Sequence, residues 1–413
     1  MPSPAYAALW IFIFSLPWER AAILPGIGYV TKITGAVALG GALFAMVVNG
    51  RVRRWHPLQV TALLFVLWSG VGVFANHLPQ IPGKLWTFVQ LLIMLLIVWE
   101  IATTRKRLFG LLTGYVLGGY IAALDTIMTF RSKAALMRRF STGESDPNDL
   151  AMVLALGLPM AWYLALTSEH PLMRWIWRGY VPVAVFAIGL TGSRGGMVAT
   201  IVALLIVPMT LTTMSPGKLA AGIAGLALSG TLAVAYLPTT VIQRLGSTSS
   251  EVEEGRLGGR LKIWEVGLSA FTVKPIFGYG TSGFKAAVEP VLGANTKVAH
   301  NSFLSVLVEE GLVGLVIYGM MFVVVFMGVI SIPIPLERRF ALVLLATVIV
   351  TMLPLTWEDR KVAWFVLGFL VSLSTIAAAT RSAATVRWDR TRTAPPLRRP
   401  VGARGVPGGG RLE

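Results

Sequence analysis

The sequence predicts an all-α polytopic integral membrane protein, with about twelve transmembrane helices and a long periplasmic loop carrying amphipathic helices. Three observations lead there. The 413 residues are 55% hydrophobic and only 13% charged, outside the range of an ordinary soluble domain. Apolar runs long enough to cross ~30 Å of hydrocarbon recur along nearly the whole chain. The breaks between them carry Arg, Lys, Pro or Asn, and the most basic breaks fall on one side of the membrane.

In chain order the spans are expected near residues 5–18, 30–49, 58–76, 85–104, 108–128, 150–167, 179–192, 196–213, 219–237, 302–331, 340–356 and 362–379. The first and seventh are short for the hydrocarbon thickness and the tenth is long. RVRR at 51–54, RKR at 105–107, the stretch 169–178 with Arg174 and Arg178, the pair Arg338 and Arg339, and the Arg-rich tail from 381 share one side if the spans number twelve. The positive-inside rule makes that side the cytoplasm and leaves both termini there. The N-terminus has no basic leader region and no clear cleavage site, so residues 5–18 read as a retained anchor.

The formal net charge of +17 would suggest nucleic acid in a soluble protein. Here much of it is topological, and no nucleic-acid-binding motif accompanies it. The absence of cysteine fits an oxidising outer compartment. Residues 1–380 form the transmembrane domain, and residues 381–413, rich in Arg, Pro and Gly, are expected to be a disordered basic cytoplasmic tail that can touch anionic headgroups.

Two hydrophilic segments interrupt the pattern on the outer side. The smaller, 129–149, reads TFRSKAALMRRFSTGESDPND; the larger, 238–300, is long enough for a small subdomain. Within the larger, Leu261, Trp264, Leu268 and Phe271 recur at spacings of three and four, the mark of an amphipathic helix lying on the membrane or capping the bundle. Pro275, Gly278, Gly280 and Gly283 then stop it and predict a turn-rich loop.

Of the histidines His56, His77, His170 and His300, the topology places His77 and His300 outside. His300 stands where the long loop becomes the tenth span, at a helix N-terminus whose dipole favours neutral imidazole. A neutral histidine can accept a proton as a general base. It can equally be a polar cap, with Asn301 sharing that task. Arg194 lies between glycines in GLTGSRGG at the outer end of the seventh span. Its guanidinium fork matches phosphate geometry, and it can also simply snorkel to headgroups. Arg260 opens the amphipathic helix, where a diphosphate would meet a side chain and free backbone N–H groups together. With Arg256, Arg138 and Arg139, and with Lys262, Lys274 and Lys285, these residues suggest an outer cationic site for a lipid-linked anion.

Acidic metal-binding patterns are weak, so metal-independent chemistry is expected, with no cofactor. Glu309 and Glu310 fall about 14 Å further along the helix than His300 at 1.5 Å per residue, with Glu309 rotated nearly to the opposite face. Both are assigned packing or buried hydrogen bonds. Asn148 and Asp149 in DPNDLA read most simply as helix caps.

TGSRGG closing a mid-chain span, GRLKIW followed by KPIFGYGTSGF in a long outer loop, and HNSFLSVLVEEGLVG opening the next span together resemble the O-antigen ligase and polymerase superfamily. DPNDLA before the sixth span resembles its ligase-like branch. The resemblance covers roughly residues 140–380. It implies a multi-pass glycosyltransferase of the lipid-phosphate-sugar-using kind in the bacterial inner membrane, with its active site on the periplasmic face. Such an enzyme takes O-antigen from undecaprenyl diphosphate and transfers it, with inversion, to a hydroxyl of the lipid A core. His300 maps onto the family's essential histidine, Arg194 onto the arginine of the TGSRGG-like motif, and Arg260 onto the arginine opening the GRLKIW-like motif, with Arg256 one turn earlier as its alternative. An O-antigen or exopolysaccharide polymerase, or a relative that glycosylates protein hydroxyls, would use similar residues. The competing class is a transporter of lipid-linked sugars. Paired repeats and polar groups at mid-membrane would mark one, whereas here the polar residues gather at one face.

Overall fold

A computed structural model of the chain is helical almost throughout, apart from one short antiparallel hairpin, Ile23–Leu24 with Gly28–Tyr29. It describes residues 3–393, except 78–79, 134–138, 247–258 and 294–297, and only scattered positions between 211 and 238. The helices are α1 Pro4–Ser15, α2 Val30–Asn49, α3 Pro57–Ala75, α4 Gly83–Ile101, α5 Arg105–Lys133, α6 Pro147–Thr167, α7 Pro171–Thr191, α8 Arg194–Leu204, α9 Ile206–Thr210, α10 Thr239–Gly246, α11 Arg260–Val273, α12 Phe284–Leu292, α13 Ser302–Ile330, α14 Pro335–Met352 and α15 Lys361–Thr393.

Local chemistry sets many of these ends. His56 is a helix cap: its Nδ1 accepts from the Leu58 N–H at 3.2 Å, and Gln59 Oε1 accepts from the His56 N–H at 2.9 Å. Asp146 caps α6, taking the Asn148 N–H at 2.7 Å, with Pro147 in the first helical position. Neither Asn148 nor Asp149 is therefore the cap, and both side chains are released for contacts elsewhere.

Among the described residues, seven helices are long and apolar enough to cross a membrane: α2 through α6, α13, and α15 over residues 361–380. The chain is thus a multi-pass membrane protein. Seven of the about twelve expected spans meet this measure, and several of the others differ from a single long apolar helix. The first expected span is a twelve-residue helix followed by a single tight turn, and the eighth is interrupted at Leu205 between α8 and α9. The expected basic loop at 169–178 is mostly helix, since α7 starts at Pro171 and carries Arg174 and Arg178 in its first turns. Most of the ninth expected span, 219–237, lies outside the described residues.

The bundle centres on α6 and α15, whose apolar windows are mostly buried, while α2 and α13 leave most of theirs facing outward. Tyr115, Tyr163, Tyr180, Phe340, Phe365 and Phe369 fill the space between them. A second, smaller core joins the loop helices to the bundle: Ile263 of α11 and Phe284 and Val288 of α12 pack with Leu304 and Val308 of α13. The face that α11 buries is Ile263, Gly267 and Ala270, whereas Leu261 and Leu268 point outward.

The tenth span is not a straight helix. Gly311 adopts φ 70°, ψ −173° and breaks α13, and the stretch after α11 inserts into the break. Tyr279 N–H donates to Val308 O (2.9 Å), Gly280 N–H to Glu309 O (2.8 Å) and Leu312 N–H to Pro275 O (2.8 Å). The indole of Trp68 donates to Glu310 O at 2.8 Å. Carbonyls freed by the break are thereby satisfied, the condition under which irregular backbone is tolerated within a membrane bundle. Only glycine fits here: a Cβ at Gly311 would stand 2.0 Å from Ile276 O, and one at Gly278 2.4 Å from Glu309 O.

Candidate active site at one end of the bundle

The turn between α14 and α15, LPLTWEDR at 353–360, is where the separated motifs meet. His300 precedes α13 in a left-handed conformation with φ 48°. Such a backbone costs a side-chain-bearing residue about 1–2 kcal/mol, and histidine is among the types that adopt it most often. Neighbours over-determine it. The His300 N–H donates to Thr356 Oγ1 at 3.1 Å, and the Trp264 indole of α11 donates to Ala299 O at 2.9 Å. The buried Ser302 hydroxyl donates to Leu355 O at 2.8 Å and accepts from the Trp357 N–H at 2.7 Å. Asn301 caps α13, its Oδ1 accepting from Leu304 N–H at 3.0 Å. The capping task thus belongs to Asn301, and His300 stands one residue outside the helix.

Arg194 occupies the first position of α8, behind the cap Ser193, whose hydroxyl accepts from Gly196 N–H at 3.2 Å. The neighbouring glycines serve helix packing: a Cβ at Gly195 would meet Pro354 at 2.9 Å, and one at Gly196 would meet Ala151 of α6 at 2.4 Å. Gly195, beside Arg194, and the His300 backbone consequently flank the same turn, at Pro354 and Thr356 respectively. Arg260 begins α11 one turn before Trp264, the residue that holds Ala299. Arg139 is fastened to the TGSRGG turn, its Nε donating to Thr191 O at 2.8 Å and its Nη2 to Asn148 Oδ1 at 2.7 Å. Arg138 and Arg256 lie outside the described residues.

Two charge clusters complete this end, and their members Arg20, Lys84, Glu358 and Arg360 were passed over by sequence reasoning. Asp149 accepts from the Trp357 indole at 2.9 Å and from Arg360 at 2.9 Å, with Arg20 at 4.0 Å. Burial disfavours the Arg360 charge, but the carboxylates of Asp149 and Asp359 outweigh it and hold the group above its ordinary range. Lys84, the one charge near the start of α4, bridges Glu309 at 2.8 Å and Glu358 at 2.5 Å. Glu358 is fully buried, which pushes its carboxyl above the usual range against the opposing pull of Lys84. Glu309 also accepts from the Ser282 N–H at 3.0 Å, and Glu310 from Thr281 Oγ1 at 2.9 Å. Both glutamates thus make the buried hydrogen bonds expected of them, and both fasten the inserted loop to α13. A readable signal existed for this cluster: WEDRK packs four charges into a short break between apolar spans.

Chemically, the arrangement places a histidine fixed by its backbone, two arginines at helix N-termini and a rigid polar turn at one end of an apolar bundle. Helix N-termini and arginines stabilise phosphate oxygens, and a neutral histidine accepts a proton. The family model described as O-antigen ligase matches residues 179–319, from within α7 to the middle of α13. The match bears out the resemblance to that superfamily over a stretch containing Arg194, Arg260 and His300, while DPNDLA and the 353–360 turn lie outside it. No curated protein matches the chain.

Proposed function

We propose, taking the O-antigen ligase match over residues 179–319 as the premise, that this protein is an inverting glycosyltransferase acting at the periplasmic face of the bacterial inner membrane. It transfers O-antigen from undecaprenyl diphosphate to a hydroxyl of the lipid A core. The observation that supports the reading is that the His300 backbone and the α8 start beside Arg194 both meet the 353–357 turn, while α11, which begins with Arg260, is tied through Trp264 to Ala299 next to His300. His300 takes the proton from the acceptor hydroxyl as that oxygen attacks the anomeric carbon. The bond to the diphosphate breaks from the opposite face, and Arg194 and Arg260 stabilise the charge arriving on the leaving group. Arg139 holds the TGSRGG turn in place for Arg194, and Asn301 holds the start of α13 for His300. The donor is already activated, so the step needs neither nucleotide nor metal.

The test uses purified protein, lipid-linked O-antigen and lipid A core without nucleotide or added divalent metal, with conjugate read on gels. Conjugate should form with the wild type. His300→Ala should abolish it and Arg194→Ala should chiefly weaken donor use; normal turnover by His300→Ala would overturn the assignment. In cells, loss of a ligase leaves bare core with lipid-linked polymer accumulating, whereas core bearing a single repeat unit would identify a polymerase instead.

A further inference from the structure

A cavity of about 570 Å³ lies between α2 and α4, outside the matched region, and meets the 353–360 turn only at Asp359 and Arg360. Its two ends differ in chemistry. The head, at the His300 end, is lined by Arg20, Lys32, Arg360 and Lys361, with Glu19 and Asp359. The remainder runs down α4 from Thr87 to Ile97, ten residues or about 15 Å along the helix, past the apolar side chains Leu91, Met94 and, on α2, Leu39. Lys32 and Ala36 line the cavity yet are exposed, so it opens sideways along α2 to the surroundings of the bundle.

The charges at the head are not balanced. Lys361 pairs with Glu19 at 2.7 Å, and Arg360 and Arg20 share Asp149 at 2.9 and 4.0 Å, with Asp359 4.0 Å from Arg360. Four cations therefore meet three carboxylates. Among the described residues no carboxylate lies within ion-pair distance of Lys32. A cationic head above an apolar groove that opens toward lipid complements an anion with a hydrocarbon tail, and neither a free anion nor an uncharged chain would use both parts.

We infer that this cavity is a binding site for a lipid with a phosphate or diphosphate head, whose head meets Lys32 and Arg20 and whose tail lies between α2 and α4. None of His300, Arg194 and Arg260 lines this cavity. It does not rest on the glycosyl-transfer reading, since occupancy is measured without turnover. Its head residues Arg360 and Lys361 continue directly from the turn that holds His300, so a bound lipid would also restrain that turn.

The experiment is native mass spectrometry of the full chain in detergent, with farnesyl diphosphate as probe and farnesol and inorganic pyrophosphate as separate arms. The wild type should retain a bound farnesyl diphosphate that Lys32→Glu and, independently, Ala36→Trp each remove or weaken by about tenfold, the size of one charge-assisted contact. Both variants change exposed side chains, so the fold should survive. Arg194→Ala should keep this copy. Unchanged retention in either Lys32→Glu or Ala36→Trp, or loss only in Arg194→Ala, would overturn the inference. Equal binding of pyrophosphate would show a free-anion site and equal binding of farnesol a plain apolar groove; either result also overturns it.

Discussion

The two ends of this bundle use the same kinds of charged residue for different work. At the end away from His300, arginines mostly finish nearby helices: Arg53 donates to Trp99 O at 3.0 Å, Arg107 to Ile101 O at 3.3 Å, Arg174 to Ser168 O at 2.7 Å and Arg339 to Met209 O at 2.9 Å. These bonds satisfy the free carbonyls that every helix C-terminus leaves. Arg105 with Glu337 is the ion pair there that joins two helices. At the His300 end the charges instead clamp turns far apart in sequence: Lys84 to Glu358, Arg360 to Asp149, Lys361 to Glu19. The difference teaches that positive charge completes helix ends at one end, and that charge pairing builds a rigid platform at the other.

Breaking the platform should cost far more than trimming the opposite end. The largest effect is expected at Gly311→Ala, where the new Cβ would collide with Ile276 O; about 3 kcal/mol or more of stability should be lost, while Gly319→Ala, with open space around it on the same helix, should be neutral or mildly stabilising. Thermal unfolding in detergent separates the two. Next, Lys84→Met leaves Glu309 and Glu358 buried without their cation and should cost about 3–5 kcal/mol, against about 1 kcal/mol for Arg53→Met at the other end. Similar losses at both positions would refute the contrast. Asp149→Asn, which weakens the hold on Trp357 and Arg360, should cost about 1–2 kcal/mol in the same assay. The smallest stability loss within the platform is expected from His300→Asn, because asparagine also accepts the left-handed backbone; folding should shift by less than about 1 kcal/mol while turnover falls at least ~100-fold. A large loss of stability in that variant would mean that the imidazole supports the fold as well as the chemistry.

The comparison also shows which features were legible in the sequence. Long apolar helices could be read because crossing a membrane demands an unbroken apolar run, and that run is local. The positions of α11 and α13 followed from the order of polar and apolar stretches. The break at Gly311 could not be read in the same way, since EEGLVG continues a helical pattern and only the inserted PIFGYG segment makes the irregular backbone affordable. Asp149 looked like a cap because its neighbours suit one, yet Asp146 stands at the right position and frees Asp149 for Arg360.

By itself, then, the sequence determined a multi-pass helical membrane protein, the residue types able to handle a diphosphate and a proton, and the motifs that carry them. The tertiary structure alone decided that the His300 stretch and the TGSRGG turn both meet the 353–360 turn, that KPIFGYG pairs with the broken tenth span, and that Lys84 bridges Glu309 and Glu358. The physical reason is range. Hydrophobic runs and helix caps are set by neighbours within a few residues, whereas a charge finds its partner wherever packing brings one, here 274 residues away for Lys84 with Glu358 and 342 for Lys361 with Glu19.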